Sequence, residues 1–170
     1  MTRTASTWKG LVAGAAGGLV GTIAMNSFQA AIARLRQSQN GHGKQEQENR
    51  HQDEPATVKA AQALSLRLRG IPISDDRKAQ AGQVVHYATG IIDGAVYGVL
   101  QERLPAASAG FGTLYGATLW AAADEIAVPA LGLSKPASEY PATIHLQALA
   151  SHLVYGVATW AAVRAIRSVW

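Results

Sequence analysis

Glycines recur every four residues inside apolar stretches of this chain. Gly10, Gly14 and Gly18 form one ladder, Gly90, Gly94 and Gly98 a second, and Gly112 and Gly116 a third, with Gly17 and Gly21 beside the first. A spacing of four places each set along one side of a helix, where a missing side chain lets a neighbouring backbone approach. In water a glycine inside a helix costs roughly 1 kcal/mol relative to alanine, so a soluble helix rarely carries so many. In hydrocarbon the helix is enforced by the solvent, because an unpaired peptide group costs several kcal/mol there. The ladders therefore point to helices in lipid.

Hydropathy agrees once the chain is divided. Mean hydropathy is only +0.04, but it averages apolar stretches with one very polar connector. A bilayer-crossing helix needs about 20 mostly apolar residues, and four segments qualify: about 10–33, 81–100, 109–128 and 144–165. The first is too long for the core of a signal peptide and reads as a retained helix. The third is expected to stop before Pro129, which cannot continue the hydrogen-bond ladder. Trp8, Trp160 and Trp170 fall towards the terminal face, as interfacial anchors do. The connector at 37–54 is rich in Gln, Asn, His and charge and should be solvated. After it, Asp53, Glu54 and Pro55 start a short amphipathic helix over 56–69, expected on the membrane surface or as a packed soluble cap.

The reading is an all-α polytopic membrane protein, one domain over 1–170, with four transmembrane helices packed through glycine ladders. Its partner is the lipid bilayer. Exposed glycine ridges leave room for a homo-oligomer or another membrane component. The net charge of +4 is modest and its basic residues flank apolar runs, which gives nucleic-acid binding no support. No cysteine is present, so disulfides and thiolate metal sites are excluded. Ten basic residues on the connector side against five on the terminal side favour a cytoplasmic connector.

Ionisable residues in the spans share one half of the bilayer. Counting about 1.5 Å per residue from the connector face, Asp124 and Glu125 lie roughly 5 Å deep, His86 about 6–8 Å, Asn26 roughly 10 Å, His152 about 12 Å and Asp93 about 18 Å, with His145 at the rim. At 100° per residue, His86, Gly90, Asp93 and Tyr97 share one side of their helix, and His145, His152, Gly156 and Thr159 share one side of theirs. Ionisable groups inside a membrane usually face a bundle interior or a wet cavity. Two readings compete. In one, His86, His152, Asp93, Asp124 and Glu125 form a proton or divalent-metal site, since imidazoles and carboxylates suit zinc, iron or copper and histidine titrates near neutrality. In the other, they hydrogen-bond helices together at about 0.5–2 kcal/mol per contact.

No His-Glu-x-x-His motif is present, no strand precedes Gly14–Gly21 to make a phosphate loop, and no nucleophile elbow surrounds Ser151. The chain is not expected to be an enzyme and requires no cofactor, with a metal or haem as the alternative. Tyr97, Tyr115 and Tyr155 read as packing residues, and His42 and His51 as solvated connector residues.

The second half resembles a known family through Pro129-Ala-Leu-Gly-Leu-Ser-Lys-Pro136, which is similar to a Pro-x-x-Gly-Leu-Ser/Thr-x-Pro turn. Glu139-Tyr-Pro141 follows, and then Ser151-His152-Leu153-Val154, similar to a Gly-His-Leu-Val segment, with His86 and Tyr97 matching the preceding helix. On these residues the chain resembles the YagU family of bacterial inner-membrane proteins, which has no established biochemical activity. The resemblance carries over His86 and His152. Asp93 departs from the family pattern, and Asp124 falls where a member carries a histidine. It implies a multi-pass protein of the bacterial cytoplasmic membrane acting as a structural or accessory component. It also implies cytoplasmic termini, against the charge count, so orientation stays open.

Overall fold

The computed structural model describes residues 7–39 and 54–170, and these form an all-α protein, with helices and turns but no strand among the described residues. Helix α1 runs Thr7–Gln39 without a proline to interrupt it. It takes in Gln37–Gln39, which the sequence reading gave to the connector. The remainder of that connector, 40–53, lies outside the described residues and includes His42 and His51. Helix α2, Ala56–Arg69, follows Pro55, whose carbonyl accepts from the Val58 and Lys59 N–H groups at 2.9 and 3.0 Å. It ends at Gly70, which takes a left-handed conformation with φ 66°, a geometry open to glycine for want of a Cβ. Helix α3, Asp75–Arg103, carries Asp75 and Asp76 in its first turn, where negative charge meets the positive end of the helix dipole.

The third apolar stretch departs from expectation at both ends. Pro105–Gly112 is a 3-10 segment broken at Ala109, Gly110 and Phe111, and helix α4 begins only at Thr113 and runs to Trp120. Gly112 precedes the helix with φ 88° and is not part of a helical ladder. Beyond Trp120 the chain widens into a π-helical segment, Ala121–Ala127, and then makes a last α-turn, Val128–Ala130, that contains Pro129. In the widened turn the Val128 N–H reaches back to the Ala123 carbonyl. That wider winding leaves room for a pyrrolidine ring that would clash in a regular α-helix, so the helix passes Pro129 instead of stopping before it. A turn and a short 3-10 segment, Ala137–Glu139, lead to helix α5, Ala142–Ser168.

Helix α1 packs against both α3 and α5, α4 packs against α5, and α2 packs on α3. The α1–α3 seam is backbone against backbone. A methyl added to Gly14 would overlap the Gly94 carbonyl, one on Gly18 the Gly90 carbonyl, and one on Gly98 the Gly10 carbonyl. The order shows that the two helices run antiparallel. Gly17 and Gly21 turn the adjacent face of α1 to Thr159, Val163 and Tyr155 of α5, and Gly112 and Gly116 meet Gly156 and His152.

The interior mixes apolar residues such as Ala13, Tyr97, Tyr155 and Val163 with polar ones, and many large aliphatic side chains lie outside. Thr22, Ser151, His152 and Thr159 are buried, whereas Leu11, Leu19, Ile23, Ile92, Val96 and Leu114 face outwards. Two helices are long and apolar enough to cross a membrane, over Thr7–Ser38 and Ala142–Ser168.

Candidate functional site

The helices part in the half of the molecule nearest α2, leaving a cavity of about 300 Å³. Each wall contributes a polar group: Thr22 from α1, Thr57 from α2, His86 and Asp93 from α3, Asp124 from the π-helical segment and His152 from α5. His86 and Asp93 are seven residues apart, two turns along one face. His152 turns Nδ1 to the Ala148 carbonyl one turn back, at 3.0 Å. That nitrogen therefore carries the proton it donates, which leaves Nε2 with its lone pair in the neutral ring. Asp124 Oδ2 stands 3.7 Å from the same Nδ1, within ion-pair range but too far for a hydrogen bond. Asp124 owes its position to π winding, an irregularity often found at functional sites.

His86 is held from α1. Its Nε2 donates to Asn26 Oδ1 at 2.9 Å, and Asn26 Nδ2 donates to the Tyr87 hydroxyl at 3.2 Å. With Thr57, His86 also lines a second, outer cleft of about 490 Å³ that contains Asn26, Glu54, Asp75 and Lys78. His86 thus stands between the two spaces. At the mouth of the outer cleft Lys78 Nζ lies 2.9 Å from Asp75 and 3.1 Å from Glu54. The hydrogen bond from Lys78 holds the Asp75 carboxyl below its ordinary value, and Asp75 and Glu54 together hold the Lys78 ammonium above its own.

Tyrosines close the cavity on its far side. The Tyr155 hydroxyl donates to the Gly90 carbonyl and the Tyr115 hydroxyl to the Asp93 carbonyl, both at 2.7 Å. Tyr97 is fully buried with its ring centroid 4.8 Å from that of Tyr115. Beyond this layer lies the glycine seam of α1 and α3.

Of the residues singled out in the sequence, His86, Asp93, Asp124 and His152 meet at this cavity. Glu125 does not. Its Oε1 lies 2.6 Å from His145 Nδ1, and His145 Nε2 faces the Ala137 carbonyl at 3.1 Å. Glu125 and His145 thus tie the end of α4 to the turn before α5. Adjacent residues on a helix point in different directions, which is why Asp124 and Glu125 part despite equal depth. No group of three or more His, Asp or Glu stands disposed to hold a metal ion among the described residues. From the sequence the tyrosines read as packing residues only. Tyr155, one turn from His152, carried a signal that could have placed it here, whereas Tyr115 and Thr57 carried none.

A family model described as "Protein of unknown function (DUF1440)" matches residues 59–161, more than half of the chain. The matched region takes in most of α2, all of α3 and α4, and α5 as far as Ala161, and with them His86, Asp93, Asp124 and His152. No curated protein and no solved structure matches the chain. On the extent of that match the chain belongs to this family, whose function is unknown.

Proposed function

We propose that this chain is a four-span, non-enzymatic integral protein of the bacterial cytoplasmic membrane whose interior cavity is a proton-binding site reached from the α2 side. The spans lie within α1, α3, α4 with its π-helical extension, and α5, with the first turns of α3 outside the hydrocarbon. The burial pattern supports the membrane reading: many large aliphatic side chains outside, with threonine, serine and histidine among the buried groups, suit a hydrocarbon solvent. The bacterial location rests on the resemblance to the YagU family.

One observation carries the functional reading. His86, Asp93, Asp124 and His152, from three separate stretches of chain, line a single cavity, and His86 also faces the outer cleft. Histidine is the side chain whose ordinary titration falls nearest neutrality, so an imidazole between an outer acidic cleft and two inner carboxylates can take a proton from one and yield it to the other. The tyrosine layer beyond Asp93 favours binding from one side over passage across the membrane. A divalent metal has less support, because the four groups are not disposed as a ligand set.

The test is a pH titration of the detergent-solubilised full chain, followed by 15N NMR of its histidine rings. A change of protonation at the His86 and His152 rings within the range of the titration, altered at His152 by Asp124→Asn, supports the site. Two rings that keep one state throughout that range leave a purely structural component, which is the second reading. It is favoured by the bonds that tie His86 to Asn26 and His152 to Ala148.

A further inference from the structure

A third concavity lies outside the site, between α2, the 70–74 loop and α3, with a volume of about 720 Å³. Its walls are apolar and outward-facing: Leu64 and Leu68 from α2, Ile71 from the loop and Val84 from α3. The loop that shapes it is pinned on both sides. Ser65 Oγ donates to the Ile71 carbonyl at 2.7 Å, and the Ile73 N–H donates to Gln62 Oε1 at 3.0 Å. Two arginines line the same groove beside the loop, Arg69 at the end of α2 and Arg77 near the start of α3. Arg69 makes no ion pair among the described residues, and Arg77 has only a 3.9 Å approach to Asp76 at the surface.

The order of these groups along α3 matters. Arg77 precedes Val84 by seven residues, roughly 10 Å along the helix axis. If α3 crosses the bilayer, cationic side chains stand at the headgroup level and an apolar wall continues inwards, the same sequence of chemistry as a phospholipid. Guanidinium groups suit a phosphate through paired N–H donors. We infer that this groove is a binding site for one anionic phospholipid, with its phosphate on Arg69 and Arg77 and an acyl chain against Leu68 and Val84. The inference rests on the membrane reading but not on proton binding in the cavity.

The test is native mass spectrometry of the full chain in detergent, titrated with phosphatidylglycerol or with phosphatidylcholine of the same acyl chains. The expected result is one retained phosphatidylglycerol per chain at concentrations where phosphatidylcholine is lost. Replacing both cations (Arg69→Gln with Arg77→Gln) should weaken phosphatidylglycerol binding roughly 30-fold. Ala81→Trp, which fills the groove and leaves the cations, should weaken both lipids. Equal binding of the two headgroups, wild-type affinity in the double variant, or glycerol phosphate bound as tightly as the lipid would overturn the site. So would a dimer that Ala81→Trp dissociates, since the groove would then hold a second copy. A chain that purifies without detergent contradicts the membrane reading itself, whereas a detergent-requiring chain indifferent to headgroup contradicts the lipid site alone.

Discussion

The two halves of this molecule are made by the same helices and pack in opposite ways. Towards the termini, α1 and α3 meet through Gly10 and Gly14 against Gly98 and Gly94, and their backbones touch. Towards α2, the positions that face inwards carry Thr22, His86, Asp93, Asp124 and His152, and the helices stand apart around a cavity. A seam of backbone against backbone leaves no space for a ligand. The other half keeps that space. The tyrosine layer at Tyr97, Tyr115 and Tyr155 is the boundary, and the Tyr155 and Tyr115 hydroxyls anchor on the α3 carbonyls at Gly90 and Asp93, where the seam gives way to the cavity.

The comparison is broken most forcefully by adding bulk to the sealed half. Gly14→Leu has no space to occupy, because even a methyl would meet the Gly94 carbonyl and the Gly98 backbone. We expect a loss of about 3 kcal/mol or more, read as a large fall in the thermal unfolding midpoint in detergent. A true enlargement in the open half, Thr57→Leu, should cost under about 1 kcal/mol, since its side chain borders the cavity. Equal losses at the two positions would erase the distinction.

Removing a hydroxyl from the boundary comes next. Tyr155→Phe removes the hydroxyl that donates to the Gly90 carbonyl and should cost about 1 kcal/mol in the same assay. Asn26→Ala should cost a comparable or smaller amount, about 0.6 kcal/mol. It should also move the His86 ring signal in the 15N spectrum, which Tyr155→Phe has no direct contact to do.

The smallest effect concerns pH at the mouth of the outer cleft. Asp75 is held below its ordinary value by Lys78, so its contribution is complete above the ordinary carboxylate range and is lost as pH falls through the lowered value. Lys78 is held above its ordinary value, so its contribution is complete below the ordinary lysine range and is lost as pH rises through the raised value. Between those limits the clasp is intact. Both groups are solvated, and the acid-side change in unfolding midpoint should be slight and absent in Lys78→Met.

The sequence exposed some of this and hid the rest for identifiable reasons. Glycine spacing names the residues of the α1–α3 seam because one residue type at a helical interval is a local signal. Which helix each ladder faces is a tertiary fact without a local trace. Depth arithmetic brought Asn26, His86, Asp124 and His152 to similar levels, but depth fixes height and not direction, so it grouped Glu125 with Asp124. The start of α4 is not legible because Ala109, Gly110 and Phe111 are small or apolar and look like helix in hydropathy. Nothing in the composition marks the positive φ at Phe111 or the winding that carries the chain past Pro129.

The most direct test uses the absence of cysteine from the chain. Single-cysteine variants Thr57→Cys, between the outer cleft and the cavity, and Ala13→Cys, fully buried in the sealed half, are placed in sealed vesicles of either orientation. They are then treated with a membrane-impermeant thiol reagent. The expected result is rapid labelling of Thr57→Cys only when the α2 side faces the reagent, and no labelling of Ala13→Cys in either orientation. Labelling of Thr57→Cys from both sides, or of Ala13→Cys at a comparable rate, would contradict a one-sided cavity above a closed glycine seam.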